Sequence, residues 1–99
     1  MSYIPAPYAF HRIFKAKYSL VEQFGRANAV QTVHMSPGQL ESLLVYVGLV
    51  DPKSPERWLK GAIEIEVGVG PAKIFGLTVV TEPVDWADDK IVLRGEIIA

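Results

Sequence analysis

Residues 33–48 read VHMSPGQLESLLVYVG and contain the strongest local signal for secondary structure in the chain. Ser36 is a residue type that caps helices, Pro37 suits the first helical position, and Gln39 completes a capping box three residues after the cap. Apolar residues then recur with the spacing of one helical face, and Gly48 is a typical stop. These residues are Leu40, Leu43, Leu44 and Val47. The stretch therefore predicts a helix that begins after Ser36 and ends at Gly48.

Four segments around this helix alternate apolar and polar residues, which predicts strands. Residues 28–35 precede the helix, residues 62–70 alternate Ile and Val with Glu and Gly, and residues 73–81 are more apolar. Residues 90–98 supply the last strand, and the loop at residues 83–89 is short enough for the last two strands to pair antiparallel. The glutamates of the 62–70 strand share one side, so we expect that side to face water.

Two further helices are predicted from weaker signals. Residues 9–24 carry apolar side chains that fit one helical face, and Gly25 is a suitable stop, although aromatic and β-branched content leaves a strand-containing alternative open. The apolar positions are Phe10, Ile13, Phe14, Tyr18 and Val21. After a turn at residues 51–55, a serine and a proline before Glu56 repeat the helix-start pattern. This pattern predicts a short helix to Lys60.

The chain predicts one α+β domain over residues 1–99, because this length is near the common size of a single domain. We expect a small antiparallel sheet of about four strands packed with one to three helices. Pro5 and Pro7 favour an extended N-terminal arm over residues 1–8, since proline disfavours helical backbone in the residue before it. The arm carries apolar side chains, so we expect it to dock on its own domain or on a neighbour.

The composition is rich in apolar residues for so short a chain, with 49% hydrophobic and 21% charged residues. A chain of this length buries only about 60–65% of the surface of its unfolded state, so some apolar surface is expected to contact another molecule. Residues 1–34 hold four basic residues against Glu22, a balance of +3, whereas the remainder holds six basic and ten acidic residues, a balance of −4. This asymmetry predicts an electrostatic contact surface, with a mixed solvated surface as the alternative.

Several classes of protein are disfavoured by the sequence. The chain has no cysteine, which excludes disulfides and thiolate metal sites. No uncharged apolar run approaches the ~18 residues that a membrane span needs, so no membrane association is expected. The first residues lack the basic start of a secretory signal, so we expect none.

Side chains that could perform catalysis are few. His11 lies in the basic N-terminal segment and His34 in a predicted strand, and neither accompanies a serine in a nucleophile context. Glu64 and Glu66 would share one strand face about 7 Å apart, a spacing that suits acid–base work but is also typical of exposed glutamates. The aspartates within residues 85–89 lack the spacing of a calcium loop. We therefore predict no catalytic residue, no cofactor and no metal site.

Aromatic residues are concentrated at the N-terminus, where six of the ten lie within the first 24 residues and alternate with basic residues. Aromatic and arginine side chains dominate the energies of protein–protein interfaces. The sequence therefore predicts a protein-contact surface in this segment. Its predicted residues are Tyr3, Tyr8, Phe10, Arg12 and Phe14. Packing of the aromatic side chains into the core and stacking on single-stranded nucleic acid are the alternatives for the same pattern.

One ordered series of segments resembles a known family. The strand and helix start Val33-His34-Met35-Ser36-Pro37 is followed by the segment at residues 74–81, an acidic loop and the segment at residues 90–95. The series resembles the C-terminal part of the major capsid proteins of tailed phages, a lattice-forming family that includes the encapsulins. That family often has a Met-(Ser/Asn)-Pro helix start followed by a Gly-x-Pro-Val-Val strand, and Thr78 stands where the pattern has proline. The resemblance covers residues 30–98, implies a small virus-related protein and assigns no functional residue.

These observations together predict a non-enzymatic structural or assembly protein of viral or phage type, located in the virion or the host cytoplasm. It would act through contacts with copies of itself or with a virion partner. The alternative is a small phage-encoded regulator or inhibitor that binds a host protein or a nucleoprotein complex, for which the acidic C-terminal part would supply charge complementarity.

Overall fold

Two helices and seven strands form the part of the protein that the computed structural model describes, which confirms the α+β class. The structure describes residues 3–25, 32–48, 56–61, 63–68, 70–81, 90–93 and 96–99. The predicted turn at 51–55 and the acidic loop at 83–89 lie outside these ranges. The elements in chain order are α1 (Ala6–Phe24), β1 (Thr32–Met35), α2 (Pro37–Tyr46), β2 (Glu56–Lys60), β3 (Ile63–Val67), β4 (Lys73–Ile74), β5 (Leu77–Thr81), β6 (Ile91–Leu93) and β7 (Glu96–Ile97).

The described strands form one mixed sheet in the order β2-β3-β4-β5-β1-β6-β7. The prediction of about four antiparallel strands is therefore wrong in number and in direction, because β1 pairs parallel to β5 and antiparallel to β6. The prediction that residues 73–81 and 90–98 pair with each other is also wrong, since β1 lies between β5 and β6. Val33 and Met35 are fully buried, and a central position gives this strand a hydrogen-bonding neighbour on each side.

Residues 73–81 form a hairpin, and the prediction of one continuous strand is wrong. Lys73 pairs with Thr78 and Ile74 with Leu77, so a two-residue turn connects β4 to β5. Phe75 and Gly76 both have left-handed backbone, with φ of 52° and 80°, as a type I′ hairpin turn requires. Glycine at the second position adopts this conformation without cost, whereas Phe75 is a strained residue whose ring is held by aromatic contacts.

Replacing Gly76 with alanine is expected to lower the free energy of unfolding by about 1–2 kcal/mol, because a side chain strains left-handed backbone. The new Cβ would also lie 3.2 Å from Nζ of Lys17. Urea unfolding measures the change. Gly70→Ala is the matched control, since a Cβ there meets nothing within 4 Å, and it should stay within about 0.5 kcal/mol of wild type. Equal stability of the two variants would contradict the turn.

Residues 56–60 form strand β2, and the prediction of a short helix there is wrong. Each residue of β2 pairs with a residue of β3, from Glu56 opposite Val67 to Lys60 opposite Ile63. A helix of five residues is too short to offset the cost of its nucleation, whereas five paired residues fit a hairpin. Gly61, expected to stop a helix, has φ of 62° and begins the turn to β3.

Residues 90–98 also contain a reversal rather than one strand. Val92 of β6 pairs with Ile97 of β7, and Leu93 pairs with Glu96, so two residues connect the strands. Two short antiparallel strands stand in place of the single predicted strand, so that prediction is wrong.

Helix α1 begins at Ala6, so residues 6–8 are helical and not part of an extended arm. Pro7 fits because the first N–H groups of a helix have no partner within it. The prediction of a helix before Gly25 is confirmed, and the strand-containing alternative is wrong. Gly25 has φ of 78°, and its N–H donates to the carbonyl of Val21 at 2.9 Å. The expected extended arm is thereby reduced, among the described residues, to positions 3–5.

The start of helix α2 is confirmed, but the expected capping box is half formed. The Ser36 hydroxyl accepts a hydrogen bond from the backbone N–H of Gln39 at 3.1 Å. The Gln39 side chain bonds the N-terminal residues instead of Ser36. Its Oε1 accepts from the N–H of Ile4 at 2.8 Å, and its Nε2 donates to the Ile4 carbonyl at 3.1 Å. Gln39 therefore attaches the N-terminal segment to α2.

One hydrophobic cluster joins the helices to a single face of the sheet. Along β1, β3 and β5, buried residues alternate with less buried ones. The buried residues of neighbouring strands lie opposite one another in the sheet, as Val33 and Val79 do, so they share one face. The buried strand residues are Val33, Met35, Ile65, Val67, Ile74, Leu77, Val79, Ile91 and Leu93. Helix α1 covers this face with its inner side, and its other side points away from the core.

Candidate functional site: the outer face of helix α1

Helix α1 has an inner side that packs on the core. Ala6, Ala9 and Ile13 are buried, and Ala16 and Leu20 pack against the same cluster. These five residues are separated by three, four, three and four positions, which is the spacing of one helical stripe. Small alanines allow a close approach of the helix to the sheet. The inner side therefore fixes how α1 is oriented.

The opposite side carries exposed aromatic residues. We define the outer face of α1 as Tyr8, His11, Phe14, Lys15, Tyr18 and Glu22, all of which are exposed. Tyr8 is 53% exposed, Phe14 51% and Tyr18 59%. Large aromatic side chains bury much apolar area when a partner covers them. The outer face therefore offers apolar area that this chain does not use itself.

Phe75 fixes the position of Phe14. The two rings are in an edge-to-face arrangement with centroids 5.3 Å apart, and Phe75 meets the buried Phe10 in the same way at 6.2 Å. Lys17 donates a hydrogen bond to the carbonyl of Phe75, which holds the turn against α1. Because Phe14 is already oriented in the free chain, binding would cost little side-chain entropy at this position.

Four of the five residues predicted to form the contact surface lie at or near the protein surface. Tyr8 and Phe14 belong to the outer face. Tyr3 is 37% exposed and covers the start of α2, where a Cβ on Gly38 would come within 2.2 Å of its hydroxyl oxygen. Arg12 is half-buried, and its Nε donates to the carbonyl of Ile98 at 2.6 Å, which links α1 to the C-terminal segment.

Phe10 is the fifth predicted contact residue, and the structure places it in the core. It is 1% exposed, and its ring lies 6.1 Å from that of Tyr46. A ring with this exposure cannot contact a partner directly, so Phe10 is removed from the contact surface. Tyr18 takes its place, because it is exposed one turn beyond Phe14.

The sequence contained a signal that separates Phe10 from Tyr18. Sequence reasoning grouped Phe10, Ile13, Phe14, Tyr18 and Val21 on one face, but the first two are buried and Phe14 and Tyr18 are exposed. The aliphatic stripe that starts at Ala6 identifies the inner side, and Phe10 is next to it on the helix while Tyr18 is opposite. Phe75 was missed as a site residue because its contact with α1 depends on the hairpin turn.

Two of the basic residues of α1 form hydrogen bonds within the chain. Arg12 and Lys17 donate hydrogen bonds to backbone carbonyls, of Ile98 and Phe75 respectively. Lys15 is exposed on the outer face. Stacking of single-stranded nucleic acid needs cationic groups along its backbone path, and one lysine between three aromatic rings is a sparse supply.

The candidate catalytic residues are not brought together by the described structure. His34 is half-buried on β1, and Glu64 and Glu66 are half-buried on β3. Strands β4 and β5 lie between them, which separates β1 and β3 by about 14 Å. His11 lies on the outer face of α1. Among the described residues, no group of three or more histidine and acidic side chains could hold a metal ion.

A groove of about 270 Å³ runs beside the second half of α1, where the helix meets β6 and β7. Its lining combines apolar side chains with a hydroxyl, an amide and a carboxylate. The lining residues are Ala16, Ser19, Leu20, Gln23, Phe24, Leu93, Glu96 and Ile98. The groove adjoins the outer face along α1.

In the described part of the chain, neither helix is long and apolar enough to span a membrane.

Comparison with known protein families, curated proteins and solved structures finds no match to this chain. The resemblance to phage capsid proteins therefore stays a prediction that rests on residues 30–98 alone.

Proposed function

We propose that this protein is a non-enzymatic assembly protein that acts through protein–protein contacts made by the outer face of α1. The observation that carries the proposal is the exposure of Tyr8, Phe14 and Tyr18 on a helix whose other side is already buried. Exposed aromatics grouped on one rigid element are typical of surfaces that a partner covers, because such residues are enriched at the centres of interfaces.

The arrangement of the face supports a contact role. Phe14 is positioned by Phe75, and the helix that carries the face is fixed by four buried residues and by the hydrogen bond from Arg12. A rigid surface loses less entropy on binding than a mobile one. Lys15 and Glu22 lie among the aromatic residues of the face and give it charged groups that can form ion pairs with a partner.

The viral setting is proposed on the resemblance alone. A lattice or virion protein would use the outer face to contact copies of itself, in the virion or in the host cytoplasm. The rival proposal, a regulator that binds one host protein, would use the same exposed aromatic residues against a different chain. Both are binding functions, and they differ in the partner.

Replacing Phe14 and Tyr18 together with serine is expected to abolish association of the purified protein, because both substitutions remove aromatic area from the outer face. Size-exclusion chromatography with light scattering measures the molar mass at high protein concentration. Wild type is expected above the 10.9 kDa of one chain, and the double variant at it. Circular dichroism should show unchanged secondary structure, since both side chains are more than half exposed.

Val45→Ser with Leu59→Ser is the matched control, because these residues are 54% and 67% exposed and belong to α2 and β2 rather than to α1. The control variant should keep the wild-type mass. If it loses association as the outer-face variant does, general surface hydrophobicity and not the outer face drives the contact. A wild type that stays monomeric but retains one stoichiometric host protein through Phe14 and Tyr18 would favour the regulator.

A further inference from the structure

We propose that a second copy of this chain covers the part of the outer face from Phe14 to Glu22, packed antiparallel so that Lys15 of each copy contacts Glu22 of the other. This inference rests on the proposed contact function and names its partner. It follows from the placement of two opposite charges on one exposed line of α1.

Lys15, Tyr18 and Glu22 lie along one line of the helix, because their spacing of three and four residues returns to the same side. All three are exposed. Seven residues of helix separate the two charges by about 10 Å along the axis. The midpoint between them falls between Tyr18 and Ser19.

A two-fold axis through this midpoint makes the face complementary to itself. In an antiparallel pair centred there, Lys15 of one copy is level with Glu22 of the other, and the reverse contact forms at the same time. Tyr18 of each copy then lies near the axis, with Phe14 one turn away from it. In a parallel pair, by contrast, each charge would face its own equivalent and repel it. Charge complementarity therefore selects the antiparallel arrangement and a second copy as its occupant.

The size of the contact predicts a weak dimer. About twelve residues of each helix overlap, a length of about 18 Å, so the buried area falls below the ~800 Å² per partner of a standard interface. We expect a dissociation constant in the range from about 10 μM to about 1 mM. Because both ion pairs are exposed, added salt should weaken the dimer.

The test is a charge exchange. Lys15→Glu alone and Glu22→Lys alone each turn two attractive contacts per dimer into repulsive ones. Each single variant is expected to raise the dissociation constant roughly tenfold, measured by sedimentation equilibrium at low salt. The double variant, K15E with E22K, restores opposite charges across the axis. Its dissociation constant should return to within about threefold of wild type.

Cysteine pairing tests the direction of the helices independently. The chain has no cysteine, so Lys15→Cys and Glu22→Cys each introduce a unique thiol. In the antiparallel pair two copies of residue 15 are about 10 Å apart, beyond the reach of a disulfide. Mild oxidation should therefore give disulfide-linked dimers when the two variants are mixed and few when either is oxidised alone. Linked dimers from each variant by itself would indicate parallel helices and overturn the inference.

The outcomes separate this inference from the proposed function. If both single charge variants and the double variant bind as wild type does, while the Phe14 and Tyr18 variant is monomeric, the charge register is wrong and the contact function stands. If the double variant is weaker than either single variant, the register is also wrong. If wild type shows no association at any concentration, the second copy is rejected as the partner.

Discussion

The Phe10→Ala variant is expected to unfold with a free energy about 3–5 kcal/mol lower than that of wild type. Phe10 is 1% exposed and contacts the rings of Tyr46 and Phe75, so its removal leaves a cavity in the centre of the core. Urea denaturation followed by tryptophan fluorescence measures this loss. A reduction of this size is a large fraction of the stability of a small domain, so Phe10→Leu, with a loss of roughly 1–2 kcal/mol, provides a variant that still folds.

Phe14→Ala is the matched control for this prediction. Phe14 is the same residue type on the same helix, one turn later, but it is 51% exposed. Its removal should lower the free energy of unfolding by less than about 1 kcal/mol, through loss of one edge-to-face contact with Phe75. Its effect should appear in self-association instead. If Phe14→Ala destabilises the monomer as much as Phe10→Ala does, the assignment of an inner side and an outer face is wrong.

Gln39→Leu is expected to lower the free energy of unfolding by about 2–4 kcal/mol. Gln39 is fully buried and forms hydrogen bonds with both backbone polar groups of Ile4, which is 7% exposed. Leucine has a similar volume but leaves an N–H and a carbonyl without partners in the interior, and each such group costs about 1–3 kcal/mol. The backbone N–H of Ile4 should also exchange with solvent deuterium faster than in wild type.

Glu41→Leu is the control for the Gln39 variant, because Glu41 is exposed on the same helix. The change in the free energy of unfolding should stay within about 0.5 kcal/mol. A Gln39→Leu variant with wild-type stability and unchanged exchange at Ile4 would show that the N-terminal segment does not depend on this side chain.

The sequence predicted local features correctly where the local pattern of residues agrees with the secondary structure that the fold imposes. Ser36 caps α2 as expected, and the alternation of residues 32–35 and 63–67 matches the observed burial. In contrast, residues 56–60 were predicted from a helix-start pattern to be helical, but they form a strand that pairs with β3 along its whole length. Such pairing depends on residues outside the segment that carries the helix-start signal, so the local propensity of that segment could not reveal it.

The sheet topology was beyond local reasoning for a related reason. The turn at residues 75–76 contains a left-handed phenylalanine, which propensities disfavour and which contacts with α1 compensate. The position of β1 between β5 and β6 likewise depends on contacts between distant segments.

The contact surface that aromatic density predicted near the N-terminus stays a prediction. Aromatic density indicated the segment in which Tyr8 and Phe14 are exposed. It did not separate Phe10 from Tyr18, because composition does not report which side of a helix faces the core. The aliphatic spacing from Ala6 to Leu20 contains that information.

The concentration dependence of the mass of the wild-type protein tests the central claim most directly. The claim is that the part of the outer face from Phe14 to Glu22 is covered by a second copy. Sedimentation equilibrium from about 10 μM to about 1 mM, the range expected for a contact of this size, should show a mass that rises from 10.9 kDa towards twice that value. The Phe14 and Tyr18 serine variant should remain at 10.9 kDa throughout. A wild-type mass that stays at 10.9 kDa over the whole range would contradict the claim.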